Sequence, residues 1–91
     1  MDEMKAAVSK SFKEFLRNQM YQFRKTYQFT QEKMAEILHI TPRCYFEQEH
    51  GKYSFSAMSF AFFILAMNDE EKAEFLEQLL IVLNGSKEDK L

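Results

Sequence analysis

The chain predicts an all-α domain of five helices, and three observations carry that expectation. Two glycines and one proline in 91 residues leave too little turn chemistry to connect many short strands. Apolar residues make up 46% of the chain, ten of them phenylalanine, and they recur at three- and four-residue spacing. Side chains suited to begin a helix, Thr30, Thr41, Ser56 and Asn68, stand just before four of the periodic segments. Ninety-one residues suffice for one hydrophobic core, so 1–85 reads as a single domain and "SKEDKL", 86–91, as a frayed tail.

The first helix runs from Met4 to about Tyr27, with Val8, Phe12, Phe15, Leu16, Met20, Phe23 and Tyr27 on one face. Lys13, Arg17 and Arg24 flank that face, either as a solvated edge or as a row of phosphate contacts. "FTQEKMAEIL" starts a second helix with Thr30 as N-cap, Glu32 in its positive first turn, and Met34, Ala35 and Leu38 inward. Lys33 stands where a capping box would need an acid, so Thr30 caps alone. A tight turn at His39-Ile40 leads to Thr41, a second N-cap, and to Pro42 at the favoured first helical position. The short third helix reaches about His50 and stops at Gly51, suited to a left-handed terminus.

Ser56 caps a fourth helix that is apolar nearly all round, from Met58 through Phe60, Phe62, Phe63, Ile64 and Leu65 to Met67, and so needs cover on several sides. The run "FSAMSFAFFILAM" spans thirteen residues, 55–67, too short to cross a bilayer as a helix. Asn68 caps the fifth helix, with Glu71 placed for a capping box and Asn84-Gly85 as its end. On that helix Phe75, Leu76, Leu79, Leu80 and Leu83 are expected on one face, with Ile81 and Val82 on the other. The surplus is covered either by the first helix folding back or by a homodimer through about 56–83.

A net charge of −2 argues against a nucleic-acid partner, but its distribution does not. Residues 1–53 hold nine Lys/Arg and seven Asp/Glu, a net of +2, whereas 54–91 hold three and seven, a net of −4. The basic part contains "ITPRCYFEQEHGK", 40–52, whose outward positions at i, i+3, i+4 and i+7 are Arg43, Phe46, Glu47 and His50. These groups have the chemistry of base readout: Arg43 for guanine, Phe46 for a thymine methyl, Glu47 for a cytosine amino group. Glu49, between the last two, reads as structural.

Two short helices joined by a tight turn have the helix-turn-helix layout. The string "FRKTYQFTQEKMAEILHITPRCYFEQEHGK" resembles the phage-repressor and Cro family of helix-turn-helix domains, the lambda-repressor-like or xenobiotic-response-element type, over roughly residues 16–67. Thr30-Gln31, Ala35, Leu38, Ile40, Thr41, Glu49 and Gly51-Lys52 match its pattern in register. The resemblance implies a five-helix DNA-binding domain in which Gln31 helps to hold a phosphate. Three positions depart from the pattern. His39 replaces a turn glycine, and so either turns left-handed or changes the turn. Gln48 replaces an aliphatic residue and needs a partner if buried. Pro42 replaces a polar residue that in the family often touches a base.

The reading that follows is a transcriptional regulator, repressor-like, that binds double-stranded DNA sequence-specifically through the helix at about 42–50. Arg43, Phe46, Glu47 and His50 are its candidate base contacts. Arg24, Thr30, Gln31, Lys33, Thr41 and Lys52 are its candidate phosphate contacts. The alternative is a protein-interaction module that keeps the fold without binding DNA, favoured by Pro42, the two glutamates and the acidic C-terminal half. A continuous positive band around Arg24, Lys33, Arg43 and Lys52 would favour DNA, and its interruption by Glu36 and Glu47 would favour the alternative. No Ser/His/Asp arrangement, Gly-rich phosphate loop or carboxylate pair points to an enzyme, and no cofactor is implied. Cys44, Glu47 and His50 make too incomplete a set for a metal. Cys44 cannot form an internal disulfide, and the N-terminus lacks a signal-peptide pattern, so a cytoplasmic, nucleoid-associated protein of bacterial or phage type is expected.

Overall fold

The computed structural model describes residues 2–84, with side chains from Ala6 onward, and it is all-helical. Five helices follow one another: α1 Asp2–Thr26, α2 Gln31–Leu38, α3 Pro42–Glu49, α4 Ala57–Ala66 and α5 Asp69–Leu83. The expected stop at Gly85 and the tail at 86–91 lie outside the described residues.

Each helix after the first begins on the side chain that the sequence marks. Thr30 Oγ1 accepts from the Lys33 backbone N–H, Thr41 Oγ1 from that of Cys44, and Ser56 Oγ from that of Ser59. Asn68 and Glu71 form a full capping box, each side chain accepting the other's backbone N–H. Such a cap contributes about 1 kcal/mol.

Three helices end alike, and only one of the ends is announced by a glycine. The backbone turns left-handed at Gln28 (φ 58°), His39 (φ 62°) and Gly51 (φ 86°). In each case the next N–H reaches back five residues: Phe29 to the Arg24 carbonyl, Ile40 to that of Ala35, Lys52 to that of Glu47. These closures satisfy carbonyls that a helix end would otherwise leave bare. His39 thus keeps the tight turn by adopting the left-handed conformation, and its ring stacks on Phe62 with centroids 3.9 Å apart. That contact offsets part of the strain of a side chain at positive φ. At Gly51 a second constraint joins the first, because a Cβ there would collide with the Arg17 guanidinium.

The core is built from Leu16 and Met20 of α1, Met34, Ala35 and Leu38 of α2, Tyr45 of α3, Phe63 of α4 with Met67 at its end, and Phe75 of α5. Ala35 is buried where α2 meets its neighbours, consistent with a close helix crossing that a larger side chain would push apart. Between α1, α4 and α5 the packing is aromatic: Phe75 lies 5.3 Å from Phe15, 6.0 Å from Phe60 and 5.8 Å from Phe63, and Phe63 lies 5.4 Å from Phe23. Edge-on and tilted rings at such distances add to the stabilisation from burial. Tyr27, just beyond α1, is exposed rather than part of that face; it stacks on Phe29 and donates to Glu71.

The faces of α5 differ from the expected ones. Phe75 is buried and Leu79 and Val82 are half-buried, so the stripe at i, i+4 and i+7 that starts at Phe75 is the inner one. Leu76, Leu80 and Leu83, one position further round, are exposed, as is Ile81. On α4, Met58, Ala61 and Leu65 form a second exposed stripe. The fold-back of α1 therefore covers one apolar stripe of α5 and leaves another in solvent.

Candidate nucleic-acid interface

Helix α3 is anchored on one side and open on the other. Tyr45 and Gln48 face the interior and are buried, and Glu49 is held beside them with a side chain only 6% exposed. The Glu49 carboxylate accepts four hydrogen bonds. Arg24 donates from Nε at 2.8 Å and from Nη2 at 3.1 Å, Gln31 from Nε2 at 2.7 Å, and Tyr45 from its phenol at 2.6 Å. One carboxylate thereby ties α3 to both α1 and α2. The remaining Arg24 nitrogen, Nη1, donates to the Phe29 carbonyl at 3.1 Å, the residue after the left-handed turn that ends α1.

These bonds reset the acidities of the three partners. Burial alone pushes the Glu49 carboxyl upward, but the hydrogen bonds from Arg24, Tyr45 and Gln31 together outweigh it and hold the carboxyl below its ordinary range. Burial, and then the bond to Glu49, pushes the Tyr45 phenol upward. The bond to Glu49 also raises Arg24. All three groups keep their usual charge at neutral pH, as the geometry requires.

Arg24 is consequently not the surface cation expected for a phosphate contact, because its guanidinium is turned inward and 15% exposed. Gln31 is half-buried with its amide on Glu49, so it joins the internal network first. Nothing local in the sequence announces this pairing, since Arg24 and Glu49 are twenty-five residues apart. Gln48 presents the other departure: its amide nitrogen donates to the Ser54 carbonyl at 3.3 Å, while its Oε1 is buried without a partner.

The outer face carries Arg43, Phe46, Glu47 and His50 together. Arg43 is 86% exposed in the first turn of α3 and Phe46 is 47% exposed. The Phe46 and His50 rings lie 4.2 Å apart, with His50 Nδ1 2.8 Å from the Phe46 carbonyl oxygen. Glu47 sits between two cations, 3.4 Å from Arg43 Nε and 3.8 Å from Lys52 Nζ. At the start of α2, Lys33 Nζ is 3.3 Å from Glu36. Thr30, Lys33 and Pro42 line an open depression between the beginnings of α2 and α3. The positive band is thus interrupted at each of its four cations, at Arg24 by the enclosed carboxylate of Glu49, at Lys33 by the exposed one of Glu36, and at Arg43 and Lys52 by the half-buried one of Glu47.

Among the described residues no group of three or more His, Cys, Asp or Glu side chains is placed to hold a metal, and no helix is long and apolar enough to cross a membrane. Comparison with protein-family models, with curated proteins and with solved structures finds no match for this chain.

Proposed function

We propose that this chain is a helix-turn-helix protein, lambda-repressor-like in arrangement, that regulates transcription by binding duplex DNA with α3 in the major groove. The observation that carries the reading is the division of α3. Its inner face is fixed to α1 and α2 through Tyr45 and Glu49, while Arg43, Phe46, Glu47 and His50 stand together on its outer face. A rigid helix with a free polar and aromatic face suits base-edge readout. Thr30, Lys33, Thr41 and Lys52 flank that face as phosphate contacts, with Gln31 able to add a second N–H.

These surface ion pairs, whose cations are at least half exposed although Glu47 is half-buried, do not preclude such contacts. Pairs of this kind are worth about 0–1 kcal/mol, so Arg43, Lys33 and Lys52 can exchange a carboxylate for a phosphate or base at small cost. The same interruption by Glu36 and Glu47 does favour the second reading, a protein-interaction module that retains the fold without binding DNA.

The exposed stripe Leu76, Leu80 and Leu83, with Ile81 beside it, supports a homodimer through the C-terminal helices, which would offer two copies of α3 to one duplex. The protein would act in the cytoplasm, on the nucleoid.

The test is selection of binding sequences from a pool of random and genomic duplexes by wild type and by Arg43→Ala and Phe46→Ala. Selected sequences that weaken with salt and lose discrimination in the Arg43 variant are the expected result. No retained duplex at low salt overturns the DNA reading in favour of the interaction module.

A further inference from the structure

A second cluster of cations lies away from the outer face of α3. Lys10, Lys13 and Arg17 occur at i, i+3 and i+7 on α1, so they share one stripe of the helix. The loop after α3 runs past this stripe and leaves a groove of about 290 Å³ between them, with those three cations, Lys52, Tyr53 and Ser54 along it and Phe12, Leu16 and Phe55 as its apolar part. Glu14 is the acid on the lining. None of Lys10, Lys13 and Arg17 has a carboxylate within ion-pair distance among the described residues. Lys33, Arg43 and Lys52 of the α2–α3 unit are each paired with a surface carboxylate, and Arg24 near the end of α1 is paired with Glu49, so among the described residues Lys10, Lys13 and Arg17 stand apart from them.

We infer that this groove holds the sugar-phosphate backbone of one DNA strand, beside the segment that α3 reads. The inference rests on the DNA-binding function proposed above and adds a contact that the helix-turn-helix unit does not supply.

Three features fit a phosphate strand. From Lys10 to Arg17 the helix rises about 10 Å, the axial distance of about three phosphates on one strand of B-DNA. Tyr53 is exposed and Ser54 lies beside it, so hydroxyl donors accompany the charges, the mixture that positions proteins on a backbone. The groove also begins where α3 ends: Gly51 closes α3, and Lys52 both lines the groove and lies 3.8 Å from Glu47 on the outer face. Gly51 lets the Arg17 guanidinium lie against the backbone there, which keeps the floor of the groove continuous with the end of α3.

The experiment is a salt titration of affinity for a selected duplex and for a random duplex, with wild type, Lys10→Gln/Lys13→Gln and the charge-keeping Lys10→Arg/Lys13→Arg. Both lysines are exposed, and thermal unfolding of each variant checks that the fold is intact. The expected result is a log–log salt slope shallower by about 1.8 in the glutamine variant, with weaker binding to both duplexes, an unchanged ratio between them, and the wild-type slope in the arginine variant. An unchanged slope and affinity in the glutamine variant, while wild type still retains the selected duplex, overturns the inference alone and leaves the groove to another anionic partner such as an acidic protein segment. If wild type retains no duplex at low salt, the DNA reading fails and this inference fails with it.

Discussion

Two glutamates of α3, two positions apart, have opposite fates. Glu49 on the inner face receives four hydrogen bonds from three elements and is almost wholly enclosed. Glu47 on the outer face touches Arg43 and Lys52 at 3.4 and 3.8 Å, in water on the cations' side. Charge and side chain are identical, so the difference comes from what the rest of the chain brings to each. One eight-residue helix thereby has a side that fixes its place in the fold and a side left free for a partner. A variant on one side should leave the other side's property unchanged, and that separation can be tested.

The largest effect is expected at Glu49. Glu49→Ala strands the Arg24 guanidinium and the Tyr45 phenol without their acceptor, and loss of one member of a buried ion pair costs about 3–5 kcal/mol. Urea unfolding at neutral pH measures it, and a loss below about 1 kcal/mol would mean that the inner side is not fixed by this network. Acid provides a second route. Because the Glu49 carboxyl is held below its ordinary range in the folded state, its contribution is complete above the unfolded carboxylate range and is lost as pH falls through the folded value. Unfolding followed from pH 7 to pH 3 should show a steeper loss in wild type than in Glu49→Gln, which has no carboxylate there to protonate.

A smaller effect of opposite sign is expected at Gln48, also on the inner side. Its buried Oε1 has no partner, a situation that costs about 1–3 kcal/mol, against which stands one long hydrogen bond to Ser54. Gln48→Met removes both in a side chain of similar length and flexibility. A gain of about 1 kcal/mol in unfolding free energy is expected; a loss would show that the tie to the loop outweighs the bare oxygen.

How much of this was legible in the sequence depends on whether the deciding partner is near in the chain. The N-caps of α2 to α5 were legible, because Thr30, Thr41, Ser56 and Asn68 act on backbone groups three residues away. The outward turn of Arg43, Phe46 and His50 on α3 was legible for the same reason, since helical spacing alone groups them with Glu47, which the structure holds half-buried between Arg43 and Lys52. The inward turn of Arg24 was not, because it is decided by a carboxylate two helices further on. The phase of α5 was ambiguous for a related reason. The stripes 75/79/82 and 76/80/83 satisfy the same periodicity, and only the aromatic packing of Phe75 against Phe15, Phe60 and Phe63 selects the first. The left-handed ends at Gln28 and His39 carry no glycine to mark them.

The smallest effect on stability, and the sharpest contrast, is expected at Glu47. Glu47→Gln removes the negative charge between Arg43 and Lys52 but leaves no buried group without a partner, because Arg43 is 86% exposed and Lys52 61%. Exposed pairs of this kind contribute about 0–1 kcal/mol, so the unfolding free energy should change by less than about 0.5 kcal/mol. The expected gain is in binding: with the carboxylate gone, both cations face a duplex unopposed, and affinity for random duplexes at low salt should rise. Fluorescence anisotropy beside urea unfolding measures the two quantities on one preparation. A stability loss in Glu47→Gln as large as that in Glu49→Gln would mean that the two sides of α3 are not separate. Unchanged stability with unchanged affinity would preserve that separation while removing the outer cations from the contact, leaving the groove on α1 as the place where the backbone is held.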